Sequence, residues 1–165
     1  LHSGATSGVE VALVTGGLRG VGLSVAASLL KSHKARRVLL VSRASPLPKH
    51  TAEVAALVAL GAEVHCADVG TWTAVEALPD AVDLIVHCAG VVDDQLMKDT
   101  TAARTAALLH PKVDGVLNLR RRYPAARIVA FSSSSSPLGV AGQATYAAAN
   151  AFLDEFCGGD AIQWG

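Results

Sequence analysis

Hydrophobic positions along this chain fall into short runs that alternate with stretches of helical period. Six runs, Val11–Thr15, Val38–Val41, Val64–Ala67, Leu84–Ala89, Ile128–Phe131 and Ala161–Trp164, are nearly continuous in apolar residues. That is the pattern of strands covered on both faces. Helical repeats lie between them. Val21, Val25 and Leu29 follow the first run, Val54, Leu57 and Val58 the second, and Val113, Val116 and Leu117 the fourth. Ala149, Phe152, Leu153 and Phe156 mark the last helix, and Thr73–Leu78 has room for one or two turns. Alternating strands and helices predict right-handed crossovers and a doubly wound parallel sheet. The expected fold is Rossmann-type α/β, three layers deep, with about six strands in the order 3-2-1-4-5-6. Ligands in such sheets sit at the carboxyl ends of the strands, near the point where strand order reverses. Functional residues should therefore follow strands.

Composition narrows this picture. Of the 165 residues, 51% are hydrophobic and 17% charged, which excludes a disordered chain. The polar start LHSGATSG, residues 1–8, reads as a linker outside the fold, and residues 9–165 as one domain. Residues 1–8 carry no apolar signal-peptide core, and no apolar run reaches the roughly 20 residues of a membrane span. A net charge of zero gives no electrostatic footprint for nucleic acid or an anionic membrane. The basic runs Arg36–Arg37 and Arg120–Arg121–Arg122 read as solvated helix ends, with docking to an acidic partner as the alternative. Cys66, Cys88 and Cys157 are odd in number and widely spaced. They suit reduced thiols in the cytoplasm rather than disulfides or a metal site.

The segment Thr15-Gly16-Gly17-Leu18-Arg19-Gly20-Val21-Gly22 joins the first strand to the first helix. Glycines there permit a tight turn and let backbone N–H groups approach a pyrophosphate. The helix start that follows adds unpaired donors and partial positive charge. Ser42-Arg43 ends the second strand, where an NAD-binding protein usually places a carboxylate for the ribose hydroxyls. Arg43 can pair instead with a 2′-phosphate, and Arg19 can supply a second cation, so NADPH is the expected cofactor. Asp68-Val69 should lie beside the adenine. Ala89-Gly90 should let the backbone pass close to the cofactor ribose.

Hydride delivery to a ketone leaves negative charge on its oxygen, so a proton donor and a stabilising donor are needed. Tyr146 is the candidate acid. A phenol is a weak acid at neutral pH, and a nearby cation favours its ionised form. Lys112 is the candidate cation, on a helix face shared with Val116 and Leu119. Ser133, after the fifth strand, can hydrogen-bond the substrate oxygen. Asn150 lies one helical turn beyond Tyr146 and can orient a water or a backbone group behind it.

The T-G-x-x-x-G-x-G spacing is the form seen in short-chain dehydrogenases. The stretches TGGLRGVG, VLLVSR, ADV, HCAGVVDDQL, PKVDGVLNL, FSS, GQATYAAANAFLDEF and IQWG resemble, in order, the ketoreductase domains of modular polyketide synthases and related fatty acid synthases. Short-chain dehydrogenases carry Tyr-x-x-x-Lys. Here Asn150 stands at that Lys position and Lys112 on the preceding helix, as in ketoreductase domains. The resemblance implies reduction of a β-ketoacyl thioester on an acyl carrier protein by NADPH, within a larger synthase. Val92-Asp93-Asp94 is similar to the Leu-Asp-Asp motif of B-type domains, and Leu138 stands where A-type domains carry Trp. With Gln143, Asp93, Asp94 and Leu138 are the expected substrate and stereocontrol residues, and the 3-hydroxy product is expected in the B-type configuration. Family members continue beyond Trp164-Gly165 into a lid and a further strand, and a structural subdomain usually precedes this region. The stretch from Lys112 to Ser133 is also slightly short, and Phe156-Cys157-Gly158-Gly159 ends the last helix early. Two other functions stay open on the residues alone: a non-catalytic, NADPH-binding or structural module of a synthase, and a free-standing reductase of small ketones.

Overall fold

The computed structural model describes residues 8–164. The expected linker lies outside the described residues except for Gly8, which is exposed. Six strands form one parallel sheet in the order β3-β2-β1-β4-β5-β6, as the strand–helix alternation predicts. They are β1 (Val9–Thr15), β2 (Ala35–Ser42), β3 (Ala62–Cys66), β4 (Leu84–His87), β5 (Arg127–Ser133) and β6 (Ala161–Trp164). Helices α1 (Gly20–Lys31), α2 (Thr51–Ala59), α3 (Trp72–Glu76), α4 (Ala102–Leu109), α5 (Gly115–Arg122), α6 (Ser135–Leu138) and α7 (Ala144–Cys157) connect them.

Strand periodicity divides the sheet between two cores. Ala12, Val14, Val38 and Leu40 face Leu23, Ala26 and Leu30 of α1 and Val54 and Leu57 of α2. Leu13, Leu39, Ile85 and Ile128 face Val116 and Leu119 of α5 and Leu153 of α7 on the other side. Each fully buried aliphatic side chain contributes about 1.5–3 kcal/mol, so the central strands carry much of the stability.

Several details depart from the sequence reading. The buried stripe of α1 is Gly22, Leu23, Ala26, Ala27 and Leu30, not Val21, Val25 and Leu29, which lie on its flanks. Small residues there let the helix settle close to the sheet. Val58 and Leu117 are exposed, as is Val64. The last follows from topology, because β3 is an edge strand with alternating rather than continuous burial. Among the described residues β6 forms the other edge. Arg36 and Arg37 are not at a helix end. They lie in β2, where Arg36 pairs with Glu10 and Arg37 with Glu63. Arg120–Arg122 do end a helix but are engaged internally. Arg120 bonds Pro124 O and Ala126 O, Arg121 stacks over Trp72, and Arg122 pairs with Asp80.

The fourth helical segment is broken rather than continuous. A π-helical turn, His110–Asp114, separates α4 from α5. Proline at position 111 has no N–H and would crowd the carbonyl four residues back. The wider turn absorbs that conflict, and such turns often occur at functional sites. It carries Lys112.

Candidate active site

The glycine turn after β1 opens onto a cleft of about 920 Å³. Its walls include Thr15, Gly16, Leu18, Arg19, Gly20, Val21 and Gly22 from the turn, and Ser42, Arg43, Asp68, Val69, Ala89 and Gly90 from the ends of β2, β3 and β4. Gly17, expected at the cofactor, does not line it. It faces inward, where a Cβ would come 2.8 Å from Val14 O. The turn closes because Gly16 and Gly22 interlock: a Cβ on Gly22 would lie 2.5 Å from Gly16 O. Gly16 also needs φ of +65°. The start of α1 has no side-chain cap and no acidic residue in its first turn. Its free N–H groups and partial positive charge therefore remain available to an anion. Arg19 and Arg43 are exposed on the rim and make no ion pair among the described residues. Lys49 and His50, which the sequence reading missed, line the same end. They are carried by a short helical turn, Pro48–His50, with no motif of its own. Size, glycine floor and cationic end fit a phosphorylated dinucleotide.

The floor is held by Thr15 and Asp68, both expected at the cofactor, and by Asn118, which the sequence did not flag. Thr15 Oγ1 accepts from Cys88 N at 3.0 Å and Ala89 N at 2.9 Å. That is why β4 ends at His87 and not at Ala89: the next two donors turn away to the threonine. Asn118 on α5 donates to Val69 O at 3.0 Å and Gly70 O at 2.9 Å, fixing the loop after β3. Asp68 Oδ1 accepts from Gly70 N at 3.1 Å.

Beyond Gly90 the character of the site changes from backbone to side chain. A Cβ on Gly90 would press on Lys112 Cε at 3.0 Å, so the cleft and the lysine meet there. Lys112 is only 5% exposed. Its Nζ donates to Phe131 O at 3.0 Å and lies 5.6 Å from the centre of the Tyr146 ring. Burial pushes the Lys112 ammonium down to about 8, opposed by the Asp154 carboxylate. Burial in turn pushes the Cys88 thiol up to about 12.

Ser133 ends β5. Its Oγ accepts from Ser135 N at 3.1 Å and from the Ser135 hydroxyl at 3.0 Å, which leaves its own proton to donate. Asn150 is fully buried on α7. Its Nδ2 donates to Tyr146 O at 2.9 Å, and its main-chain carbonyl accepts from Ser132 Oγ at 3.2 Å, tying α7 to the end of β5. Asn150 Oδ1 is buried without a protein partner, which leaves one acceptor for a water. The structure thus gathers Lys112, Tyr146, Asn150 and the Ser132–Ser133 strand end from three separate segments.

The expected substrate-side residues divide. Asp94 Oδ2 accepts from Gln143 Nε2 at 3.1 Å, and Gln95 N donates to Gly142 O at 2.7 Å. Asp93 pairs with Arg104 of α4. The first two contacts strap the loop after β4 to the residues leading into α7, and the third ties that loop to α4. Leu138 makes no such contact and is 79% exposed.

A glycine turn, a parallel sheet in this order and a Lys–Ser–Tyr–Asn cluster past β4 define an oxidoreductase of the short-chain dehydrogenase type. The profile of the KR domain family matches residues 11–161, and the chain belongs to that family of ketoreductase domains. It is 38% identical over 166 residues to 6-methylsalicylic acid synthase of Aspergillus niger, covering 86% of this chain and 9% of the synthase. It is 39% identical over 155 residues to the spectinabilin polyketide synthase system protein NorB of Streptomyces orinoci, covering 86% of this chain and 7% of that protein. Among solved structures, the ketoreductase PlmKR1 from the first module of phoslactomycin biosynthesis in Streptomyces sp. HK803 superposes with a TM-score of 0.88 at 35% identity. It covers 94% of this chain and 41% of its own. An A-type ketoreductase of a modular polyketide synthase superposes with a TM-score of 0.81 at 30% identity, covering 94% of this chain and 37% of its own. The chain therefore spans less than a tenth of these synthases and under half of these ketoreductase structures. Among the described residues, no helix is long and apolar enough to cross a membrane.

Proposed function

We propose that this domain reduces a β-ketoacyl thioester, presented on an acyl carrier protein within a polyketide synthase, to the 3-hydroxyacyl thioester, with NADPH as reductant. The observation that carries the reading is the Lys112 ammonium, buried beside the Tyr146 ring and reached from the glycine cleft through Gly90. NADPH, when bound, supplies the hydride. The N-terminus of α1 and the backbone of Gly16 and residues 18–22 would hold its pyrophosphate, Arg43 and Arg19 its 2′-phosphate, and Asp68 and Val69 its adenine. Ser133 donates its free hydroxyl proton to the substrate carbonyl and holds it for reaction. Tyr146 donates the proton that completes the alcohol, and Lys112 stabilises the charge left on the phenol oxygen. Asn150 anchors the helix under Tyr146 and offers Oδ1 to a water for proton resupply.

The Asp94–Gln143 strap beside Tyr146 supports control of which face of the ketone is presented. With Val92-Asp93-Asp94 and no Trp at position 138, the proposed product has the B-type configuration. Partners are the other domains of the synthase, and the assembly is placed in the cytoplasm. The boundary of the functional unit is placed at residue 9.

One assay tests the reading: turnover of a simple β-ketoacyl thioester with NADPH and with NADH, followed by chiral analysis of the alcohol. NADPH-dependent turnover yielding one enantiomer is expected. Binding of NADPH without turnover would instead favour a non-catalytic module, and equal efficiency on small free ketones would favour a free-standing reductase.

A further inference from the structure

His87 is fully buried between the cofactor turn and the π-helical turn, and nothing in the chemistry above employs it. Its Nδ1 lies 2.9 Å from Thr15 Oγ1 and its Nε2 lies 3.2 Å from Lys112 O. Counting protons fixes its state. Thr15 Oγ1 already accepts from Cys88 N and Ala89 N, so both lone pairs are used and its hydrogen must point to Nδ1. Nδ1 is then an acceptor without a proton, and Nε2–H donates to the lysine carbonyl. A second proton on the ring would face a hydroxyl with no lone pair left. Burial, with the neighbouring Lys112 charge, also holds the imidazole down to about 3, so it stays neutral over the working range.

The helix beyond is shaped to meet this ring. Gly115 opens α5 directly against it, and a Cβ there would come 3.1 Å from His87 Cε1 and 3.0 Å from Val69 Cγ2. Lys112 is thereby fixed at both ends, at its carbonyl by His87 of β4 and at its ammonium by Phe131 O of β5. A lysine side chain is otherwise long and flexible, and its heading is set by where its backbone is held.

We propose that His87 is a positioning residue. As the neutral Nε2–H tautomer it couples Thr15 of the glycine turn to the Lys112 carbonyl, and so sets where the π-helical turn delivers the ammonium to Tyr146. The proposal rests on the reading of Lys112 as the cation of a reductase site. Outer groups that orient metal-ligating histidines typically cost about 10- to 100-fold when removed, and a loss of that order is expected here.

The test uses three variants and one measurement on the unaltered protein. His87→Gln keeps a donor near Lys112 O, His87→Asn keeps a partner for Thr15 only, and His87→Leu keeps neither. With NADPH and a β-ketoacyl thioester, His87→Asn and His87→Leu are expected to lower kcat about 10- to 100-fold while the NADPH Kd changes less than about threefold. Their pH–rate limb for Lys112, which Cys88, Asp154, His87 and Tyr146 surround, is expected to move, and His87→Gln to recover much of kcat and the original limb. If all three folded variants keep the parental kcat and limb, or if Gln fares no better than Leu, the role is wrong. Should the variants fail to fold, long-range proton–nitrogen NMR of the unaltered protein decides. The neutral Nε2–H pattern from pH 5 to 9 is expected, and an Nδ1–H tautomer or protonation near pH 6 to 7 overturns the proposal. A separate Lys112→Met variant separates the two readings. Full turnover there sinks the catalytic reading itself, whereas an inactive Lys112→Met beside a fully active His87→Asn sinks only the positioning role.

Discussion

The two halves of the site are built from different materials. The cofactor half, from the glycine turn to Gly90, is mostly backbone: glycines that interlock, a bare helix start and strand ends. The proposed reacting half, from Lys112 to Asn150, is made of side chains from a π-helical turn, a strand end and a helix, and hydrogen bonds tie those elements together. A backbone cradle recognises phosphate wherever it occurs, which suits a cofactor common to many reactions. Side chains can be exchanged without disturbing that cradle, so the chemistry is set separately. The exchange of Lys and Asn between positions 112 and 150 is of this kind.

Perturbing one half should leave the other intact. Tyr146→Phe is expected to have the largest effect. It should cost about a thousandfold in kcat, within the usual range for a lost general acid. Fluorescence titration should show NADPH affinity unchanged. An active Phe variant would end the assignment of the phenol. Gly22→Ala is the converse experiment. Its methyl group would lie 2.5 Å from Gly16 O, and overpacking of this kind costs about 1–3 kcal/mol. Thermal unfolding should shift down and NADPH Kd rise, with kcat at saturating cofactor largely kept. A loss of kcat as great as that of Tyr146→Phe would show that the halves are not separable.

Arg43→Gln should sharpen the comparison within the cofactor half. Removing one charge-assisted contact, worth about 1.5–3 kcal/mol, should weaken NADPH by roughly 10- to 100-fold and leave NADH nearly unaffected. Equal losses for both cofactors would place the 2′-phosphate elsewhere, with Lys49 and His50 the next residues to change. The smallest effect is a pH limb. Lys112 is held down to about 8, so its ammonium is present below that pH and lost above it. The rate should fall as pH rises through about 8, and the residual rate of Lys112→Met should show no such limb. Stability has the opposite slope. Above about 8 the folded lysine is neutral while the unfolded chain still binds the proton, so raising the pH from there toward the ordinary lysine value stabilises the fold. Denaturant melts across that interval measure the slope.

The sequence was more legible in the cofactor half than in the reacting half. The turn from Thr15 to Gly22 and the charge at Arg43 could be placed because local spacing and one strand end fix them. The single misplacement there, Gly17, arises because one glycine serves the cleft and its neighbour serves packing, and spacing cannot say which. In the reacting half the residue types were legible through resemblance, but their supports were not. His87, Asn118 and the π-helical turn became visible only in three dimensions. HCAG at residues 87–90 and the proline before Lys112 were the only local hints. Exposure of Val64 was likewise a matter of which strand lies at the edge of the sheet among the described residues.

Order along the chain and residue chemistry alone determined the doubly wound sheet and the glycine turn, and they are the source of the proposed phosphorylated ribose; the four proposed reacting groups came from chemistry and resemblance together. Sheet, turn and ribose reading depend on short-range period, glycine spacing and charge. Tertiary structure alone decided how a buried imidazole, a widened helical turn and two strand ends hold one lysine against one tyrosine. The reason is distance: those partners are separated by tens of residues in sequence, and only the packing of β4, β5 and α7 brings them within hydrogen-bonding reach.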